Sequence, residues 1–175
     1  MADDRRLVPV PAPAEQLQWL VDRALIIETA YLYATAVDSR DFELYRSIFT
    51  DEIDVDFSSY FSPDGGGGPG WVTLSADAWV DAVRGVFAPL EATQHSLSNP
   101  SVVIEGDRAT CEIYVQADHF RANREGDNYH TVGGFYTHTL LRTAAGWRLN
   151  RIKLTVRWQR GNKHIMRAAG PVQGS

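Results

Sequence analysis

The sequence has little cysteine, no long apolar run and no excess of positive charge. Cys111 is the single cysteine among 175 residues, which excludes an intrachain disulfide and a multi-cysteine metal site. No run approaches the roughly 20 apolar residues of a membrane span, and residues 1–6 are rich in charge where a signal sequence would be apolar. We therefore expect a cytoplasmic protein with no membrane partner.

The formal net charge of −5 and the pI near 5.5 provide no broad basic surface. Basic residues between Arg148 and Lys163 alternate with apolar ones, which is typical of the solvated side of a strand. Nucleic acid is therefore not an expected partner. The chain also lacks the spacings of metal sites, phosphate-binding glycine loops and Gly-x-Ser-x-Gly nucleophile turns, so we expect no metal and no cofactor.

Length and composition fit one globular domain, with 44% hydrophobic and 22% charged residues. Three prolines within residues 8–14 favour an extended tail, so the predicted domain covers residues 14–161, between tails at 1–13 and 162–175. Four consecutive glycines place residues 62–70 in a surface loop, which we expect to overhang the mouth of a pocket.

Hydrophobic periodicity predicts three helices followed by strands. An apolar stripe predicts a long helix ending near Asp38, formed by Leu17, Leu20, Ala24, Ile27, Tyr31 and Ala34. A short second helix fits residues 42–49, and Ser75 can cap a third at 76–87. Strands are predicted at 53–57, 93–104, 108–121, 132–143 and 147–159. The predicted helices come mainly in the first half of the chain and the hairpins in the second, an order that indicates the α+β class. A sheet curved around the helices would leave a conical cavity.

Asp38 and His95 are the strongest candidates for chemistry. Asp38 closes the long helix, where a carboxylate is disfavoured, so an enclosed Asp38 would need a partner. His95 starts the first long strand and can point into the cone. Each residue alone also fits a structural role, as a turn former and as a core histidine. Facing one cavity, they would form a dyad in which the carboxylate fixes the imidazole tautomer and strengthens the base.

Asp118 and His119 are adjacent on the next strand, so only one of them can face the cavity. The even-numbered face of this strand is polar and the odd-numbered face is apolar. If Asp118 faces the cavity, another subunit must cover the apolar face, and an oligomer follows. Tyr33 lies about 140° around an ideal helix from Asp38, and it fits either a core tyrosine or a hydrogen-bond donor to a substrate oxygen.

At these residues the chain resembles the SnoaL-like branch of the nuclear transport factor 2-like superfamily, including the scytalone dehydratases and bile acid 7α-dehydratases. The resemblance spans residues 17–161, and its best matches are at 38–42, 93–95, 117–120 and 157–158. It implies a cone-shaped α+β barrel, with three helices packed on a strongly curved, mostly antiparallel sheet. It also implies a homo-oligomer, with a trimer favoured over a dimer.

The resemblance implies that Asp38 and His95 are the catalytic pair. The scytalone dehydratases have a second pocket histidine matching His119, and the bile acid enzymes have a tyrosine and an aspartate matching Tyr33 and Asp118. Two scytalone dehydratase tyrosines are replaced by Val37 and Phe57. We therefore favour Asp118 as the inward catalytic residue and expect substrate contacts from His119, Phe57, Tyr60, Tyr136 and Trp158.

These features predict a cofactor-independent lyase, a dehydratase acting on a hydrophobic cyclic molecule that contains a carbonyl. In this interpretation His95 removes a proton beside the carbonyl, Tyr33 binds the carbonyl oxygen, and Asp118 protonates or positions the leaving hydroxyl. A polyketide cyclase and a double-bond isomerase remain open, since each also moves a proton beside a carbonyl. A ligand-binding protein or an assembly subunit of the same fold is the alternative from another class.

Overall fold

The α+β class predicted from the sequence is confirmed in a computed structural model of the chain, which describes residues 12–61, 70–124 and 126–166. Four helices pack on one six-stranded sheet. The helices are α1 (Gln16–Ser39), α2 (Phe42–Ser47), α3 (Ser58–Phe61) and α4 (Ala76–Phe87), and the strands are β1 (Phe49–Asp56), β2 (Val72–Ser75), β3 (Ala92–Glu105), β4 (Arg108–Phe120), β5 (Tyr129–Thr143) and β6 (Gly146–Gly161).

The long helix α1 lies where the periodicity predicted it, but the buried face is different. The residues that face the core include Ile26, Ala30, Tyr33 and Val37. Leu17 and Leu20 from the predicted stripe are 75% and 56% exposed. Ala34 of the predicted stripe is buried and Ile27 packs against the core, but the stripe as a whole does not mark the buried face. Because α1 carries apolar residues on several sides, spacing alone could not select the one that meets the sheet.

Side-chain caps define where two of the helices begin. The Asp41 carboxylate accepts a hydrogen bond from the backbone N–H of Leu44 and starts α2, and Ser75 caps α4 in the same way through Ala78. The helix α1 ends at Ser39 and is followed by the C-cap residue Arg40, which has a left-handed φ of 62°. Its backbone N–H bonds to carbonyls of the last turn.

The sheet has the order β2-β1-β6-β5-β4-β3 and does not close into a full barrel. All neighbouring strands run antiparallel except β1 and β6, which are parallel. Breaks in register occur at residues 98–101 of β3 and at 133–134 of β5. A side chain at Gly134 would collide with the carbonyl oxygen of Thr155, so glycine is required there. Such irregularities increase bending and twist, which curves the sheet around α1 and α4.

A buried ion pair attaches α1 to the sheet where β5 ends and β6 begins. Asp22 accepts two hydrogen bonds from the guanidinium of Arg142, at 2.7 and 2.8 Å, and a third from the indole of Trp147 at 3.0 Å. The Asp22 side chain is only 5% exposed. The hydrogen bonds from Arg142 and Trp147 outweigh burial and lower the pKa of Asp22 to about 2.

We predict that Asp22→Asn lowers the free energy of unfolding at pH 7 by about 2 kcal/mol, because a pKa depressed by nearly two units stabilises the fold above the unfolded pKa. The difference from wild type should shrink as the pH falls from about 4 towards the folded pKa, as measured by urea unfolding. Asp107→Asn is the matched control, since Asp107 bonds the same arginine from an exposed position. Equal effects of the two variants would contradict this account.

The described chain continues beyond β6 into a short 3-10 helix, Lys163–Met166. Ile165 is buried, and the Lys163 ammonium donates to the backbone carbonyl of Tyr60 in α3. The predicted tail at 1–13 and the glycine-rich loop at 62–70 lie almost wholly outside the described residues. In the described parts of the chain, no helix combines the length and apolar character needed to cross a membrane.

Candidate active site

A cavity of about 420 Å³ lies between the concave side of the sheet and the helices. Its walls are mainly apolar, and the polar groups on them come from a small set of side chains. These are Tyr33, Tyr45, Ser58, Tyr60, Trp79, His95, His119 and Tyr136. A small, mostly hydrophobic molecule fits a cavity of this size and lining.

Asp38 and His95 meet at the edge of this cavity. The Nδ1 atom of His95 lies 2.8 Å from Oδ1 of Asp38, and the backbone N–H of His95 donates to Oδ2 at 2.6 Å. The hydroxyl of Thr93 donates to Oδ1 at 2.8 Å. The His95 side chain is 5% exposed and that of Asp38 is 21% exposed. The last turn of α1 and the first residues of β3 thus hold the pair from opposite sides.

The electrostatics of Asp38 fix the tautomer of His95. Burial alone would raise the pKa of Asp38, but hydrogen bonds from the ring and backbone of His95 and from Thr93 outweigh burial and lower it. The carboxylate is therefore ionised at neutral pH and can only accept hydrogen bonds. When the ring of His95 is neutral, its proton is therefore on Nδ1, and Nε2 carries the lone pair on a ring that lines the cavity.

His119 lies beside His95 on the cavity wall, with the ring centroids 5.7 Å apart and the planes nearly perpendicular. Its Nδ1 donates to the backbone carbonyl of His130 at 3.0 Å, so its Nε2 is a hydrogen-bond acceptor. Burial, followed by the neighbouring His95, lowers the pKa of His119 to about 4. At neutral pH His119 can accept a hydrogen bond from a ligand hydroxyl but cannot act as an acid.

The structure contradicts the expectation that Asp118 faces the cavity. Asp118 lies on the outer face of the sheet, where it accepts hydrogen bonds from Thr131 at 2.6 Å and Gln116 at 3.0 Å. Strand alternation places Val115, Ala117 and His119 inward. The apolar odd-numbered face of β4 is therefore covered by the chain's own helices, and the argument for an oligomer that depended on Asp118 no longer applies.

Tyr33 reaches the cavity from α1, as the sequence suggested, and it belongs to a cluster of three buried tyrosines. Its ring packs against those of Tyr45 and Tyr136, with the ring centroids 5.3 Å apart in each case. The indole N–H of Trp79 donates to the hydroxyl of Tyr45 at 3.2 Å. Burial raises the pKa of Tyr33 well above its usual value, so its hydroxyl keeps its proton.

The predicted contact residues divide between the two faces of the sheet. Phe57, Tyr60 and Tyr136 line the cavity. Burial raises the pKa of the Tyr60 hydroxyl to about 12. Trp158 does not line it: its indole lies over Gly133 on the outer face and is 44% exposed. The expectation for Trp158 was wrong because the break in register at 133–134 decides which face its side chain occupies.

The sequence analysis missed several residues of the site. Thr93 was detectable, since it lies two positions before His95 and so shares its face of the strand. Arg40 lies within the matched segment 38–42 but received no role. Tyr45 was assigned to a helix, and Trp79 to the apolar face of another, without a polar function. In the ranges 12–61, 70–124 and 126–166, no three His, Cys, Asp or Glu side chains cluster as a metal site requires.

The sequence matches a known family over most of its length. A family model described as the SnoaL-like domain covers residues 18–153. The chain is 35% identical to the Kfla4162 protein from Kribbella flavida, with a TM-score of 0.78 over 86% of this chain and 99% of that one. No curated protein gives a significant sequence match.

More distant structures share the architecture. A protein from Novosphingobium aromaticivorans, provisionally named a scytalone dehydratase, is 20% identical, with a TM-score of 0.69 over 89% of this chain and 96% of that one. The LinA-type3 hexachlorocyclohexane dehydrochlorinase from Novosphingobium barchaimii is 17% identical, with a TM-score of 0.67 over 84% and 94%. These similarities confirm the predicted nuclear transport factor 2-like fold.

Proposed function

The chain belongs to the SnoaL-like family, and from that starting point we propose that it is a cofactor-independent lyase that dehydrates a hydrophobic, cyclic, carbonyl-containing molecule. One observation carries the proposal: the ring of His95 is held by the Asp38 carboxylate at 2.8 Å, on the wall of a mainly apolar cavity. This arrangement presents one oriented base to a bound small molecule.

In the first step, Nε2 of His95 takes the proton from the carbon beside the substrate carbonyl. The electron pair of the broken C–H bond forms a double bond to the carbonyl carbon. The π electrons of the carbonyl move to its oxygen, which becomes the negatively charged oxygen of an enolate. The cation that forms on His95 is stabilised by Asp38, which stays ionised. The low polarity of the cavity strengthens this interaction.

The tyrosine cluster is suited to bind the carbonyl oxygen. Tyr33 and Tyr136 line the cavity, and burial raises the pKa of each hydroxyl well above its usual value, so both keep their protons. A phenolic O–H of this kind can donate to a ligand oxygen. Placed on the oxygen where negative charge develops, this donor stabilises the transition state more than the ground state.

In the second step the carbonyl re-forms and the hydroxyl on the next carbon departs. With Asp118 on the outer face and His119 unprotonated at neutral pH, neither residue can supply the proton for this hydroxyl. The proton that His95 removed returns to the departing oxygen, so one water leaves and His95 is neutral again. His119 would orient the hydroxyl by accepting its hydrogen bond.

The proposal predicts that cyclic ketones with a hydroxyl on the second carbon from the carbonyl lose water when incubated with the protein. A panel of such ketones should be analysed by mass spectrometry, after selection of those that raise the melting temperature. Loss of one water supports a dehydratase. An unchanged mass with a new absorption or a new ring would instead identify an isomerase or a cyclase, and no conversion of any stabilising ligand would favour a binding protein.

A further inference from the structure

Arg40, which directly follows α1, connects the end of this helix to the Asp38–His95 pair through Thr93. One terminal nitrogen of its guanidinium lies 2.8 Å from the backbone carbonyl of Val37 and 2.8 Å from the hydroxyl oxygen of Thr93. The same guanidinium reaches the backbone carbonyls of Asp38 and Leu90 at 3.5 Å and lies over the ring of Phe87. No step of the proposed reaction uses these contacts.

The chemistry of the donors fixes the direction of each hydrogen bond. A guanidinium has no acceptor, so Arg40 must donate to the oxygen of Thr93. The single proton of the Thr93 hydroxyl is then directed to Oδ1 of Asp38, 2.8 Å away. This is the same oxygen that accepts from the His95 ring. Arg40 therefore fixes the rotation of a hydroxyl that bonds the carboxylate.

We propose that Arg40 and Thr93 are positioning residues that hold the Asp38 carboxylate in the orientation in which it binds the His95 ring. The inference adds a supporting layer to the proposed function and relies on that function for its catalytic meaning. The relay itself is a property of the folded protein without substrate.

The location of Asp38 explains why it needs such support. Asp38 is the second-last residue of α1, where backbone carbonyls give the helix end a partial negative charge that repels a carboxylate. Arg40 binds two of these carbonyls and also polarises Thr93. The titratable and charged groups that act on Asp38 or feel its charge are Arg40, His95, His119 and Tyr136.

Proton NMR of the full chain tests the relay through the Nδ1 proton shared by His95 and Asp38, assigned by its loss in His95→Gln. Thr93→Val removes the hydroxyl but keeps the branched shape. We expect exchange of this proton with water to accelerate about fivefold, as for the loss of one hydrogen bond of about 1 kcal/mol. We also expect the resonance to disappear at a higher pH on acidification, since Thr93 is one of the groups that lower the pKa of Asp38.

Thr93→Ser is the conservative control and should retain the wild-type behaviour. Arg40→Met keeps an unbranched side chain at the left-handed position but removes the hydrogen-bond donors. As in Thr93→Val, the Nδ1 proton should exchange faster with water and its resonance should disappear at a higher pH. Because Arg40 acts in part through Thr93, the effect of the double variant should be smaller than the sum of the two single effects. Additive effects, or a Thr93→Val spectrum equal to wild type, would overturn the proposal.

These measurements need no substrate, so the two proposals fail separately. If the Thr93 and Arg40 variants left the Nδ1 proton unchanged while the protein still dehydrated a ketone, only the positioning role would be wrong. If the variants changed the Nδ1 proton as expected but the protein converted no ketone, only the proposed reaction would be wrong. Thermal unfolding of each variant shows whether it is folded at the NMR temperature, and Thr93→Ser and Arg40→Met keep the test valid if Thr93→Val does not fold.

Discussion

His95→Gln is expected to lose at least about 10²–10⁴-fold in kcat, the usual contribution of a general base. The amide of glutamine keeps a polar side chain of similar length but cannot take a proton from carbon. The fold should tolerate the change, because the backbone N–H of His95 still bonds Asp38. The measurement is kcat on the ketone identified by product analysis.

His164→Gln is the matched control for this prediction. His164 is an exposed residue of the 3-10 helix after β6, and its replacement should leave kcat unchanged. If His95→Gln turned over an identified substrate at nearly the wild-type rate, His95 would not be the base and the mechanism would be wrong.

Asp38→Asn is expected to lower kcat by about 10²–10⁴-fold, because the amide can neither stabilise a charged imidazole nor reliably fix its tautomer. Stability should respond in a defined direction. The lowered pKa of Asp38 stabilises the fold above the unfolded value of about 3.9, and this contribution is lost as the pH falls through the folded pKa. The unfolding free energies of wild type and variant should therefore converge in acid.

Asp41→Asn provides the control, since Asp41 lies three residues away and is exposed. Its carboxylate caps α2 through the N–H of Leu44, and asparagine caps a helix about as well as aspartate. Both kcat and stability should stay near wild type in this variant. A decrease in kcat as large as that of Asp38→Asn would indicate a general effect of charge near the end of α1.

The sequence predicted the strands well where alternation was long, and less well where elements were short. The pattern at 108–121 closely anticipated β4, whose odd-numbered residues are buried as the alternation indicated. The four-residue elements α3 and β2 were missed, because so few residues cannot display a period. The buried side of α1 depended on tertiary packing, which spacing alone does not specify.

The candidate site was predicted in part for similar reasons. The type and location of Asp38 and His95 suggested a pair, and the fold places their atoms at hydrogen-bond distance. The choice of Asp118 over His119 followed the resemblance, although the local alternation pattern favours the inward side chain that the structure has, His119. Trp158 follows a register break that no sequence period predicts.

Loss of deuterium from carbon tests the central claim directly, because every version of the proposed chemistry begins with removal of a proton beside a carbonyl. Each apolar cyclic ketone that stabilises the protein should be deuterated at that carbon and incubated with the protein in ordinary water, and the deuterium remaining at that carbon in ketone and product should be measured by mass spectrometry. Wild type should remove deuterium from that carbon, and His95→Gln should be slower by about 10²-fold or more. Equal loss of deuterium with the two proteins, or none with any ketone that binds, would contradict the account.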